Sequence, residues 1–439
     1  MVRLMKLSRF AVWYETLVTS RLIKLRQNRI YSAVHRTLVM LYPFILFGVI
    51  LNMLRNAFLI PGSYFDVLFK ITKWLPHASA LNYFFGSVSR MTLGFSSVIA
   101  AYGVAKYLVK SYGHSDQLVG LTSSIGFLVF NFYDSSDGLV AFNYQGLGFQ
   151  SLLLGIIAGF ITAQFFRFLT KPSEVDDADV QSIRDRIFDT PLAIIVSLLF
   201  FGVANQLMYL VTEKAISQGF NQWINNSVAN THSAWVLTGI IIISVLMQFI
   251  GLGSPIRNSQ IVGTEYLSNL NSALEKHGSS NVPYPFSGHG IIGIYTNIGG
   301  VGSTLALLIV ILLISKHESM QRVARQTFLP GLFNLNQPVL VGVPMLFNLN
   351  YLLPFLLAPL VNWGLVLMAI GMHLVPTAVY PIPVGTPTIL MGFVGTNGSF
   401  QALILTIALI VVDMVIYLPF VQVGDRIAEK MEDTRKAGK

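Results

Sequence analysis

Asn334, Asn336 and Gln337 crowd into the stretch "GLFNLNQPVLVGVPMLFNLN", residues 331–350, among residues that are mostly Leu, Val, Phe and Pro. Uncharged amides offer donors and acceptors together, which is what neutral hydroxyl groups require of a binding site. A sugar is the solute that suits them. An amide left without a partner in apolar surroundings costs several kcal/mol, so something must satisfy these three. Two uses stay open: they cap broken helix ends and freed carbonyls, or they hold a ligand.

Other polar residues point less sharply. Asp413 stands alone in "ALIVVDMVIYLPF", where an ionisable group is by default a candidate for proton or ligand coupling. Its own helix offers no base, so an inward, hydrogen-bonded position is expected. "NIGGVGSTL", residues 297–305, lacks the lysine of a phosphate-binding loop and the strand context of a dinucleotide turn. It predicts helix packing through small residues. His373 lies between apolar runs and is expected to be a buried hydrogen bonder, while His232 and His277 fall in loops. No HExxH, paired histidines or carboxylate cluster marks a metal site, and no cofactor is called for.

The elements that must carry these residues follow from composition. Of 439 residues 53% are hydrophobic and only 11% charged, with a mean hydropathy of +0.62. A water-soluble domain has no core large enough to hide that much apolar surface, so the chain is an all-α membrane protein. Spans of about 20 apolar residues are expected near 37–60, 83–108, 118–133, 146–168, 190–212, 235–253, 298–315, 351–372, 376–395 and 402–423, about ten in all. The excess of Lys plus Arg, 29 against 20 acidic residues, belongs to basic cytoplasmic loops and excludes nucleic acid as a partner. Zero cysteines exclude disulfides and a phosphocysteine within these residues.

Arg3, Lys6, Arg9, Arg21, Lys24, Arg26 and Arg29 precede the first span without a small-residue cleavage site, so no removable signal peptide is expected and the N-terminus is cytoplasmic. That segment either lies on the anionic lipid surface or is a solvated tail. The charged run "TKPSEVDDADVQSIRDR", residues 170–186, is expected to be a cytoplasmic connection, with the acidic "FYDSSDG", residues 132–138, outside. Simple counting then leaves the basic "SKHESMQRVAR", residues 315–325, on the wrong side. A re-entrant segment restores the parity, within Gly251–Gly302 or in "GLFNLNQPVLVGVP" itself. Non-helical backbone at membrane depth survives only where protein or a wet cavity surrounds it, and interrupted segments point to a binding site.

These motifs together resemble the membrane-embedded IIC component of the sugar phosphotransferase system (PTS EIIC), in its lactose, cellobiose and diacetylchitobiose branch. The resemblance is carried by "GLFNLNQPVLVGVPMLFNLNYLLPF", by "NIGGVGSTLAL" and by "YPIPVGTPTILMGFVGTNGSFQALILTIALIVVDMVIYLPF", with "RTLVMLYPFILFGVIL" and "TLGFSSVIAAYGVAKYL" similar to the first two spans. It implies the PTS EIIC fold: about ten transmembrane helices with two re-entrant hairpins, and a homodimer in a bacterial plasma membrane with both termini cytoplasmic. Residues 1–36 would form the basic cytoplasmic or interfacial segment, 37–212 the transmembrane half that makes the dimer interface, 213–424 the sugar-binding transport half and 425–439 a cytoplasmic tail. The partners it implies are membrane lipids, a di- or oligosaccharide or glycoside, and a cytoplasmic IIB protein that phosphorylates the sugar.

Two departures from the family pattern fall on that chemistry. Gln337 stands where the family has a glutamate that binds a sugar hydroxyl. In "MQFIGLGSP", aligned with a family stretch that carries a histidine near the phosphorylated hydroxyl, Gly253 takes the histidine's place and Gln248 replaces a tryptophan. Ile382 replaces another. Gln for Glu keeps the shape and loses a strong acceptor, and losing an acid or base costs typically about 10²–10⁴ in rate. The candidate sugar-binding set is therefore Asn334, Asn336, Gln337, Gly253, Gln248, Ser254 and His289, the last as a stand-in for the missing histidine or as an ordinary loop residue. No catalytic residue is assigned. The expected function is a permease that moves an oligosaccharide with the phosphoryl step in question. The alternatives are a non-transporting glycan sensor and a full phosphotransferase permease. If the rest of the pocket is intact, Gln337→Glu with Gly253→His is expected to restore phosphorylation.

Overall fold

The computed structural model describes residues 14, 24–25, 27–114, 117–134, 140–172, 188, 190–212, 233–255, 264–275 and 278–437. Most of the basic N-terminal segment, the charged connection 173–187, the centre of the acidic loop, His232 and His277 lie outside the described residues.

The chain is helical nearly throughout: α1 (Arg29–Leu54), α2 (Ala78–Gly94), α3 (Ser96–Ser111), α4 (Gln117–Phe130), α5 (Leu152–Leu169), α6 (Pro191–Thr212), α7 (Ala234–Phe249) and α8 (Thr264–Glu275), then α9 (Gly288–Ile291), α10 (Thr304–Ile314), α11 (Glu318–Leu332), α12 (Gln337–Gly342), α13 (Leu349–Gly371), α14 (Thr388–Gly395) and α15 (Phe400–Ala437). Six stretches among the described residues are long and apolar enough to cross a membrane: Arg29–Phe69, Ala78–Ser111, Phe149–Leu169, Pro191–Met208, Leu349–Gly371 and Phe400–Lys430. Three shorter apolar helices, Leu118–Phe130, Ala234–Phe249 and Thr304–Ile314, accompany them.

Helix α15 shows how an almost wholly apolar sequence still has an inside. Ile404, Ile407, Val411 and Val415 are exposed, while Ala402, Thr406, Leu409, Asp413, Tyr417 and Phe420 are buried. Both sets repeat at three- and four-residue spacing, so one face meets the core and the other is free for lipid. The inward face carries all of the helix's polar side chains between Thr406 and Tyr417. The largest core cluster is built on α1, α3, α5, α7, α10, α12, α13 and α15 together with residues 291–301. A further cluster packs α3, α4, α5 and α6.

Differences from the sequence expectations have local causes. The crossing expected at 376–395 is helical only in α14, because Pro376, Pro381, Pro383 and Pro387 remove backbone donors ahead of it. The loop is pinned instead by Val379 and Tyr380, whose N–H groups both donate to Gly395 O, at 2.8 and 2.9 Å. A two-stranded antiparallel hairpin, β1 (Phe132–Asp134) with β2 (Val140–Phe142), flanks the acidic loop and is the one sheet among the described residues. His373 is exposed rather than buried. It follows the end of α13 with φ +56°, and its N–H and that of Leu374 close the helix onto Ile370 and Ala369 carbonyls, a left-handed helix stop.

Candidate functional site

The amide-rich stretch is broken twice. Helix α11 ends after Pro330, where Phe333 and Leu335 N–H groups donate to Pro330 O and Asn334 takes a left-handed φ of +65°. Pro338 at the head of α12 fits a helix start, where a missing N–H costs nothing. After Gly342 the chain turns again until Asn348 caps α13 by accepting the Asn350 N–H at 3.2 Å.

A second interruption precedes α10. Helix α9 passes into a π turn, Ile292–Thr296, and then a tight turn at Gly299–Ser303, with φ of +80°, +103°, +85° and +53° at Gly299, Gly300, Gly302 and Ser303. "NIGGVGSTL" is thus a turn at the head of a helix and not the helix-packing face that its small residues predicted. Small residues are needed because side chains from elsewhere occupy the space: a Cβ on Gly300 would lie 2.6 Å from Asn336 Cβ and closer still to its Cγ.

The two interruptions meet through one hydrogen bond, from Asn336 Nδ2 to Val301 O at 2.9 Å. Further bonds hold the turn. Gly299 N–H donates to Thr388 Oγ1 at 3.3 Å, Thr304 Oγ1 donates to Gly299 O at 2.7 Å, and the Tyr417 hydroxyl donates to Gly302 O. Ser303 Oγ donates to Thr296 O at 3.1 Å and accepts from Asn362 Nδ2 at 3.1 Å, and the same Nδ2 also donates to Asp413 Oδ2 at 2.9 Å. Asp413 is fully buried, in the inward, hydrogen-bonded position expected of it.

The two uses open to the amides now divide residue by residue. Asn336 braces the turn and Asn348 caps α13. Asn350 donates to Phe420 O at 2.9 Å and ties α13 to α15. Asn334 Oδ1 and Gln337 Oε1 are buried without a hydrogen-bonding partner among the described residues, and so is Asn297 Oδ1 in the facing segment. Buried acceptors of this kind are costly unless a donor reaches them. Asn297 and the turn-binding Thr388, Asn362 and Tyr417 escaped the sequence reading. Asn297 belonged to the quoted "NIGGVGSTL" and was the findable one.

The remaining sequence candidates are placed as follows. Gln248 is buried at the end of α7, and the Phe249 carbonyl accepts the Phe347 N–H at 3.4 Å, so this stretch does reach the amide segment. Ser254 is half-buried beside Gly253. His289 is buried in α9 and packs on the Tyr266 ring of α8 with centroids 4.1 Å apart, which gives it a packing partner outside the amide segment. Gly253 has φ +68°, and a Cβ there would sit 2.9 Å from Gln150 Cβ and 3.0 Å from Gln150 Cα. A histidine would therefore face a strained backbone, at about 1–3 kcal/mol, and a neighbour that cannot swing aside. That geometry changes the expectation for Gly253→His. The variant is expected to lose thermal stability, and Gln337→Glu with Gly253→His is expected to show no sugar phosphorylation above background when assayed with a phosphorylated IIB protein.

An open recess of about 590 Å³, lined by Leu59, Pro61, Thr72, Leu75, His77, Ala78, Ser79 and Asn82, does not include the amides. The site is defined by buried acceptors at two breaks and not by that recess.

The family model described as "Phosphotransferase system, EIIC" matches residues 35–359. The oligo-beta-mannoside-specific EIIC component of Bacillus subtilis (strain 168) is 27% identical over 409 residues, 86% of this chain and 90% of that one. The cellobiose-specific EIIC component of Lactococcus lactis subsp. lactis (strain IL1403) is 35% identical over 153 residues, 32% of this chain and 31% of that protein. The lactose-specific EIICB component of Staphylococcus aureus (strain N315) is 24% identical over 413 residues, 89% of this chain and 71% of that one. Among solved structures, the transporter ChbC, the IIC component from the N,N'-diacetylchitobiose-specific phosphotransferase system, is 22% identical with a TM-score of 0.43, covering 95% of this chain and 99% of its own.

Proposed function

The chain belongs to the phosphotransferase system EIIC family, and from that premise we propose that it binds a di- or oligosaccharide where its two interrupted segments meet and carries it across the membrane. Relatives are named for oligo-β-mannosides, cellobiose and lactose, and a sugar of that kind is the substrate class. The observation that carries the site is the set of buried acceptors, Asn297 Oδ1, Asn334 Oδ1 and Gln337 Oε1, to which sugar hydroxyls donate. Sugar hydroxyls are neutral donors that uncharged amides satisfy without burying a charge.

Ten crossings accord with six long spans, three shorter apolar helices and the proline-broken stretch that ends in α14. Two re-entrant hairpins, one ending in the Gly299–Ser303 turn and one at 331–348, place the acceptors at membrane depth. The half before residue 213 forms the interface of a homodimer in lipid, both termini face the cytoplasm, and a IIB protein is the family partner. At this site, however, the sugar passes unphosphorylated. Gly253 and Gln337 supply no group that exchanges a proton, and the space beside Gly253 is filled by Gln150.

The test is uptake of labelled cellobiose and lactose by proteoliposomes holding the full chain, with and without a phosphorylated IIB protein. Equilibrating uptake indifferent to the phosphodonor is expected. Phosphorylated sugar inside the vesicles would overturn the unphosphorylated route. Binding without flux would favour the glycan sensor. Gln337→Leu is expected to weaken binding about tenfold, the 1.4 kcal/mol of one unpaired hydroxyl, as read by titration calorimetry in detergent. An unchanged affinity would remove Gln337 from the site.

A further inference from the structure

Asp413 is the ionisable group that sugar binding leaves unused. It is fully buried midway along the membrane-spanning part of α15, and one oxygen accepts from Asn362 Nδ2 at 2.9 Å. Its other oxygen, Oδ1, and Asn362 Oδ1 are both buried without a hydrogen-bonding partner among the described residues. No Lys, Arg or His occurs in α10, α13, α14 or α15 up to Gly424. The titratable groups on the elements packed around it are Tyr417 on its own helix, Tyr351 on α13 and Tyr295 in the π turn. His289 lies at the other end of that interrupted segment, on Tyr266. Asp425 and Arg426 follow on α15 about 18 Å further along at 1.5 Å per residue, where a His317 ring nitrogen meets the Asp425 carbonyl at 2.9 Å. An isolated carboxylate with no cation beside it is far costlier at membrane depth than a neutral carboxylic acid.

We infer that Asp413 is a proton carrier that couples sugar movement to a proton gradient. In the conformation described the acid is neutral. With sugar bound the neutral acid crosses buried. When the site opens on the inner face the sugar leaves and the carboxylic acid releases its proton to water, leaving a carboxylate that Asn362 Nδ2 holds while the empty site returns to the outer face. There it takes up a proton from water before sugar is carried again. One proton crosses with each sugar, and no bond to the sugar is made or broken. The route to the sugar site is short. Asp413 shares Asn362 Nδ2 with Ser303, Ser303 ends the Gly299–Ser303 turn, and the same turn is braced by Asn336, the residue next to Gln337. The inference rests on the unphosphorylated transport proposed above: sugar that is not trapped by phosphorylation accumulates only if another solute runs downhill with it.

The test uses proteoliposomes of the full chain and labelled cellobiose. Counterflow between equal pH values reports permeation alone. An inward gradient of one pH unit reports coupling, with about tenfold accumulation expected at one proton per sugar. Asp413→Asn keeps the carbonyl that accepts from Asn362 and cannot ionise, so it should retain counterflow, which also shows that it folds, and lose the accumulation. Accumulation that survives in Asp413→Asn would overturn the assignment. So would wild-type protein that shows counterflow but no pH-driven accumulation, or accumulation driven by a sodium gradient and indifferent to pH. Absence of counterflow in the wild type would instead overturn permeation itself, and coupling with it.

Discussion

Gly302→Ala is expected to unfold this protein at temperatures where the wild type is intact. Gly302 has φ +85°, a region that side chains rarely adopt, and an added Cβ would fall within the Phe355 ring, with Cζ 2.8 Å away. The ring has no room to retreat. Phe355 is fully buried and meets Phe249 at a centroid distance of 5.9 Å, and the Gly302 carbonyl is held in place by the Tyr417 hydroxyl. Backbone strain of about 1–3 kcal/mol adds to overpacking of about 1–3 kcal/mol, a large share of the 5–15 kcal/mol that holds a typical domain together. Tryptophan fluorescence during heating in detergent reads the loss. Gly364→Ala in α13, where a Cβ meets nothing within 4 Å, is the control and should melt like the wild type or slightly above it, since Gly is a poor helix former. Equal melting of Gly302→Ala and wild type would mean that the turn is looser than its bonds imply.

The sequence made some of this legible and not the rest, for reasons that differ by residue. Pro330, Pro338 and the amides between them announced that 331–350 could not be a plain helix, because a proline and a buried amide each demand something that lipid does not offer. The six long apolar helices were visible for the same reason: each must cover its own backbone. What stayed hidden was partnership over long sequence separation. Asn362 was one polar residue in the apolar "LVNWGLVL", and nothing local says that Ser303 and Asp413, 59 and 51 residues away, converge on its amide. Composition assigned Gly299, Gly300 and Gly302 to a helix face, since small residues serve both for close helix contact and for left-handed turns. Only Tyr417, Thr388 and Asn336 arriving from three other segments show which use applies. Asn336 was equally opaque: its type and position suit a sugar ligand, and nothing local shows that its amide donates to Val301 O.

Asn362→Leu is expected to be the most damaging polar-to-apolar change in the membrane interior. Its single Nδ2 serves both Ser303 Oγ and Asp413 Oδ2, so the leucine leaves an acid and a hydroxyl without that donor in a region where water does not replace it. Two such groups at about 1–3 kcal/mol each put the loss at about 2–6 kcal/mol. Asp413→Leu takes away one acceptor and leaves Asn362 still bonded to Ser303, so its cost should be smaller, about 1–3 kcal/mol. The informative variant is the double replacement. With both partners apolar the two penalties overlap, and Asn362→Leu with Asp413→Leu should be less destabilised than the sum of the single changes by more than the 0.5 kcal/mol expected of independent sites. Melting of the four proteins in one detergent measures the difference. Strict additivity would mean that the bond between Asn362 and Asp413 contributes nothing to stability.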